Sequence, residues 1–137
     1  MRRPLTEEEL VAAGESLGAA LESGAVVTLE GDLGAGKTTF ARAISRGLGV
    51  REGATSPTYA LVHRYMGRRG PVFHVDCYRL HSPEESQDLD WAGLTEEGDV
   101  LLVEWPERAG PWLPTPSHRF RLGHAADPGR RHLDRLR

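Results

Sequence analysis

The chain has 137 residues, 39% hydrophobic and 27% charged, with a formal net charge of −3. That composition fits one soluble globular domain over residues 1–137, and the near-neutral balance gives no global sign of nucleic-acid binding. No apolar run approaches the ~20 residues that cross a bilayer; "MRRPLTEEEL" lacks the apolar core of a signal peptide; and a single cysteine, Cys77, excludes an internal disulfide, so a reducing, cytoplasmic setting away from membranes is expected.

Taking the chain in order, Thr6 and Glu9 have capping-box spacing, and Leu10, Ala13, Leu17 and Leu21 recur at helical spacing until Gly24 stops the helix. "AVVTLE" (25–30) is a β-branched run that reads as a buried strand. A second helix is expected from Lys37 to about Leu48, ended by Gly49. "TSPTYALVHRY" (55–65) turns from loop to strand. "MGRRG" is a turn, and "PVFHVDCYRL" is a strand that pairs back as an antiparallel hairpin. "HSPEES" predicts a helix start with Ser82 as N-cap, Pro83 at the first helical position and Glu85 closing a capping box. "DVLLVEW" (99–105) reads as a strand buried on both faces. "PERAGPWLPTP" is irregular, and "HRFRLGHA" and "RRHLDRLR" pair around "ADPG" as a peripheral C-terminal hairpin.

Charge is spread unevenly. Residues 80–107 hold nine acids and no Lys or Arg, while residues 117–137 hold six arginines against two aspartates. Solvated faces account for both; the sharper alternative is an acidic docking face and a basic edge near RNA.

Lys37 is the only lysine, against sixteen arginines. It lies in "LEGDLGAGKTTF", where the run Gly31, Asp32, Leu33, Gly34, Ala35, Gly36, Lys37 and Thr38 fits G-x-x-x-x-G-K-[ST] at every fixed position. Such glycines let backbone amides curl around phosphate oxygens at the positive end of a new helix. A slim ammonium reaches the β/γ-phosphates as a point charge where arginine's planar fork does not fit. Thr38 offers a hydroxyl to Mg²⁺, Thr39 is placed for the α-phosphate, and Lys37 is expected to face solvent while the loop is empty.

A phosphoryl-transfer site also needs a carboxylate for the metal and a group to direct water. Two apolar strands end in acids, "FHVD" at Asp76 and "LLVE" at Glu104. Both lie near the C-terminal ends of buried strands if those strands run parallel to the first, where ligands bind in open α/β sheets; either could instead pair with an arginine. His74 reads as a packing histidine, Cys77 as a small apolar filler, and Trp105 as either a site neighbour or a packing residue. Arg68 and Arg69 read as solvated turn residues.

A GTPase switch is excluded, because its Asn-Lys-x-Asp guanine motif needs an asparagine and the chain has none. A small-molecule kinase fits the glycine spacing, but there is no arginine-rich lid. The third reading is an ATPase serving a partner complex. "LEGDLGAGKTTFARAISRGLGV", "SPTYALVHRY", "HVDCYRL" and "LLVEWPERAGPWLP" occur in the order and spacing of the bacterial tRNA threonylcarbamoyladenosine biosynthesis ATPase family, TsaE (formerly YjeE), which the chain resembles over nearly its whole length. The resemblance implies an α/β P-loop NTPase-like three-layer fold with a central mixed β-sheet. It implies ATP and Mg²⁺ as ligands, and action with TsaB and TsaD, alongside TsaC, to modify the adenosine next to the anticodon. It further implies that Lys37 and Thr38 bind phosphate and Mg²⁺, that the "SPTY" loop with Thr58 is a switch segment, that Asp76 and Glu104 direct metal and water, and that Trp105 flanks the site. Leu10 departs from the family pattern, where a threonine is common near the nucleotide. The expected protein is monomeric alone, touches tRNA only indirectly, and hydrolyses ATP slowly until a partner docks. Arg68, Arg69 and Arg108 are the candidates for a γ-phosphate finger. The acidic stretch is the first candidate for a docking face and the arginine-rich C-terminus the second.

Overall fold

A computed structural model describes residues 3–51 and 61–137. The N-terminal cap forms as the sequence implies. Thr6 Oγ1 accepts from the Glu9 amide at 3.1 Å, and the Glu9 carboxylate accepts from the Thr6 amide at 2.9 Å. This reciprocal cap starts α1 (Glu7–Ala20) directly after a two-residue strand, β1 (Leu5–Thr6). The helix ends at Ala20, before its expected stop. Leu21 is already extended, and Gly24, at φ +94°, makes the turn into β2 (Ala25–Glu30). A glycine-rich loop then leads into α2 (Lys37–Gly47).

β3 (Val62–Met66) and β4 (Pro71–Asp76) form the expected antiparallel hairpin. After 3₁₀ turns at Cys77–Arg79 and Pro83–Leu89 come α3 (Trp91–Glu97) and β5 (Val100–Glu104). A kinked 3₁₀ segment, Pro106–Trp112, precedes β6 (His118–His124) and β7 (Arg130–Arg135). The seven strands make one mixed sheet in the order β1-β7-β6-β2-β5-β4-β3. Its centre, β6-β2-β5-β4, is parallel, and β7, β1 and β3 are antiparallel to their neighbours.

Strand alternation divides the core into two layers. Val27, Leu29, Val72, Val100, Leu102, Phe120 and Leu122 pack against Leu10, Phe40 and Ile44 of α1 and α2. Val26, Phe73, Val75, Leu101 and Val103 face Trp91, Ala109 and Cys77 on the opposite side. The result is a three-layer α/β architecture around a mixed sheet, as expected. Among the described residues, no helix is long and apolar enough to cross a membrane.

Three local expectations need correction. The C-terminal hairpin is not peripheral: β6 pairs in parallel with β2, and Phe120 and Leu122 are 6% and 1% exposed. Those two apolar side chains alternate onto the helix-covered face, and β6 covers an edge of β2 that would otherwise stay unpaired. Ser82 makes no side-chain cap, and the Glu85 carboxylate takes the His81 amide at 2.9 Å instead. Ser86 Oγ donates to Ala109 O at 2.6 Å, tying this segment to the 3₁₀ segment after β5. The helix lies further on, as α3, with Asp90 accepting from the Gly93 amide. Arg69 is no solvated turn residue, since it donates to buried Asp99 at 3.1 Å and to Leu21 O at 2.9 Å.

Candidate functional site

The glycine-rich loop owes its shape to backbone that other residues adopt only under strain. Gly36, the residue before α2, sits at φ +102°. Gly31 sits at φ +144°, where a Cβ would collide with the Leu122 carbonyl of β6. The loop therefore lies close against a strand from the other end of the chain.

Lys37, the first residue of α2, is 4% exposed, not solvent-facing as expected. Its Nζ donates to Gly31 O at 2.6 Å and Asp32 O at 2.7 Å, and lies 4.3 Å from the centroid of the Trp105 ring. A buried ammonium needs acceptors, and two loop carbonyls and an indole face supply them. Burial holds the Lys37 pKa below its ordinary value, with the carboxylates of Glu104, Glu107, Asp76 and Asp32 acting against that shift.

The acids reach the same place through strand register. β4 and β5 run parallel to β2, with Asp76 opposite Glu104 and Leu29 opposite Glu104. Both carboxylates therefore stand at the C-terminal edge of the parallel sheet, beside the first turn of α2. Thr38 Oγ1 lies 3.1 Å from both Glu104 carboxylate oxygens. Glu104 is 2% exposed, and its Oε2 is 2.7 Å from His74 Nε2. Asp76 Oδ1 accepts from the Tyr78 amide at 3.0 Å. Among the described residues, no arginine forms an ion pair with either acid, so the alternative of a structural Arg partner is not realised.

Trp105 follows Glu104 at φ 58°. A left-handed conformation at a large aromatic residue is costly and marks a place where the surroundings dictate the backbone. The turn lays the indole against Lys37, with the Tyr78 ring 5.0 Å away. Arg108 stacks over Tyr78 and Trp105 at 5.0 and 5.3 Å and donates to Tyr78 O. Arg69 is fixed instead at Asp99, just before β5 and at the other end of that strand from Glu104. Arg68 is tied through its amide to Leu48 O, past the far end of α2. Of the three arginines singled out from the sequence, only Arg108 adjoins this site.

A cavity of about 260 Å³ lies between these groups, lined by Leu33, Gly34, Gly36, Lys37, Thr38, Thr39, Asp76, Tyr78, Glu104 and Trp105. Gly31 and Asp32 contribute through the carbonyls that hold Lys37, whereas the Ala35 side chain packs into the core. Thr58 and the rest of the "SPTY" loop lie outside the described residues. Tyr78 and the polar contact of His74 escaped the sequence reading. For His74 a signal existed: it is two residues before Asp76 and so shares its strand face. A second cavity of about 190 Å³ adjoins the first, sharing Gly34, Gly36 and Thr39 and adding Glu7, Leu10, Pro128, Gly129 and Arg131.

Amides at the start of α2 together with Lys37 can receive a polyanionic phosphate chain. The Thr38 hydroxyl and two carboxylates are hard oxygen donors of the kind Mg²⁺ takes. Among the described residues, no cluster of three His, Cys, Asp or Glu side chains can hold a metal alone.

The family model described as "Threonylcarbamoyl adenosine biosynthesis protein TsaE" matches residues 5–133. The chain belongs to the TsaE family. The match runs from β1 into β7 and takes in the glycine loop, both acids and most of the C-terminal hairpin. The tRNA threonylcarbamoyladenosine biosynthesis protein TsaE of Nostoc sp. is 39% identical over 113 residues, 80% of this chain and 68% of that protein. That of Streptomyces coelicolor is 41% identical over 115 residues, 82% of this chain and 77% of that protein. The crystal structure of Bacillus subtilis YdiB matches with a TM-score of 0.72 at 31% identity, over 97% of this chain and 85% of that one. The TsaE family and the α/β architecture expected from the sequence are thus borne out.

Proposed function

We propose that the protein binds ATP with Mg²⁺ in the cavity at the start of α2, hydrolyses it slowly when alone, and serves the threonylcarbamoyladenosine modification of tRNA together with a TsaB–TsaD complex. The observation that carries this reading is the convergence of Lys37, Thr38, Asp76 and Glu104 on one cavity from one helix and two parallel strands. Membership of a family named for this biosynthesis supplies the pathway.

The two adjoining cavities suit an elongated ligand whose anionic end lies beside Lys37. The triphosphate fits the cavity beside Lys37. The base and ribose fit the one lined by Leu10, Pro128 and Arg131, where Leu10 offers apolar contact in place of a hydroxyl. Lys37 exchanges its bonds to Gly31 O and Asp32 O for phosphate oxygens, which the loop's curled amides also hold. Thr38, Asp76 and Glu104 would hold Mg²⁺, which neutralises charge developing on the phosphates when bound. Glu104 is the base that orients water, and Asp76 holds the metal side of the site. Trp105 and Tyr78 wall the cavity and keep bulk water from the Lys37 ammonium.

Phosphate release from ATP by the purified chain, with and without TsaB–TsaD, tests the proposal. Slow release alone and faster release with the complex are expected. A phosphorylated metabolite formed without stimulation by TsaB–TsaD would replace the reading with a small-molecule kinase.

A further inference from the structure

His74 lies on β4, and its side chain is 6% exposed. Its Nε2 is 2.7 Å from Glu104 Oε2, on a carboxylate that is 3% exposed. The same carboxylate receives the Thr38 hydroxyl. The three side chains form a line from β4 through β5 to α2. The other ring nitrogen, Nδ1, is buried and has no hydrogen-bond partner among the described residues. The rings of His63 and Tyr65 pack near it, with centroids 6.0 and 6.4 Å from that of His74.

A residue kept only for packing would fill this space without a buried polar atom lacking a partner, because leaving such an atom unpaired is unfavourable. The orphan Nδ1 therefore points to a use for Nε2. A carboxylate oxygen accepts, so the tautomer that suits this contact carries its ring proton on Nε2. In that tautomer His74 donates to Glu104 Oε2, and Nδ1 carries only a lone pair. The bond restrains the rotation of the Glu104 carboxyl and keeps its oxygens turned toward Thr38. Groups behind metal-ligating carboxylates act this way: they orient the ligand without touching the ion.

We propose that His74 is a positioning residue, whose Nε2–H donor locks the Glu104 carboxylate in the orientation that serves metal-assisted nucleotide binding. This rests on the ATP and Mg²⁺ reading above.

The test compares His74→Leu, His74→Gln and His74→Asn in the full chain. Leu removes the donor at similar volume, the Gln amide nitrogen reaches the position of Nε2, and the Asn amide nitrogen reaches only that of Nδ1. Calorimetry measures ADP binding with and without Mg²⁺, and Mn²⁺ spin resonance measures metal affinity in the nucleotide complex. His74→Leu should leave metal-free ADP binding unchanged and lower metal affinity in the complex by about 10–100-fold. His74→Gln should recover most of that loss, and His74→Asn should not. Wild-type metal affinity in His74→Leu, or equal behaviour of the Gln and Asn variants, would overturn the role of His74. If the Leu variant does not fold, the Gln–Asn contrast decides alone. Absence of Mg²⁺-dependent nucleotide binding in the wild-type protein would overturn the nucleotide reading itself, and the role of His74 with it.

Discussion

Glu104→Gln separates the fold of the site from its chemistry, because the structure predicts opposite sizes for the two effects. The carboxylate is 2% exposed and sits between His74 Nε2 and Thr38 Oγ1. Glutamine keeps the shape and can satisfy both neighbours: its carbonyl accepts from His74, and its amide donates to the Thr38 oxygen. Two charge-assisted hydrogen bonds become neutral ones, a loss of about 1 kcal/mol each. Relief from burying a carboxylate acts the other way. The net change in stability should fall within about 1–2 kcal/mol, a shift of only several degrees in melting temperature for a chain of this size. Loss of the base that orients water should slow hydrolysis by about 10²–10⁴-fold, which corresponds to about 2.7–5.4 kcal/mol on the barrier. Thermal melting and phosphate release on one preparation measure both quantities. A folded variant that hydrolyses ATP at the wild-type rate would refute the assignment of Glu104 as the water-directing base.

Lys37→Ala and Lys37→Arg should both lose ATP binding in calorimetry; Arg fails because a planar fork does not fit the space between the Gly31 and Asp32 carbonyls and the Trp105 ring. Normal affinity in Lys37→Arg would sink this account of the single lysine. Asp76→Asn retains an acceptor for the Tyr78 amide, so its melting temperature should hold while Mg²⁺-dependent ADP affinity falls. Cys77 is fully buried, and burial pushes its thiol pKa up to about 12, with Asp76, Glu107 and Glu104 adding to the rise; at pH 8 a thiol reagent should label it only after unfolding, and equal labelling of native and urea-unfolded protein would contradict that. Reversing charge at Glu84, Glu85 and Asp88, none of which forms a salt bridge among the described residues, should weaken TsaB–TsaD-stimulated hydrolysis and spare the basal rate. An unchanged stimulated rate would shift the docking assignment to the C-terminal arginines, although Arg119 and Arg121 already pair with Glu30.

Read linearly, the chain specifies what a few neighbouring residues can encode. The Thr6–Glu9 cap is such a case, because both partners lie within one turn. So are the β3–β4 hairpin and the glycine-rich loop that leads into α2 at Lys37. Strands ending in Asp76 and Glu104 were also readable, since alternation and an apolar run fix where each acid falls. Which of these pieces meet depends on long-range pairing. The parallel pairing of β2 with β6 joins residues about ninety positions apart, such as Leu29 and Phe120, and no local pattern announces it. That pairing brought the C-terminal hairpin into the core and placed Leu122 against Gly31. Register between β4 and β5 set Asp76 opposite Glu104 and put His74 in reach of the same carboxylate. Burial of Lys37 needed Trp105 turned over it from another strand end, and the Glu85 carboxylate went to the His81 amide while Ser86 tied the segment to distant Ala109. Caps, periods and turns are short-range and survive in a linear reading; strand order and burial depend on which distant surfaces exclude water together.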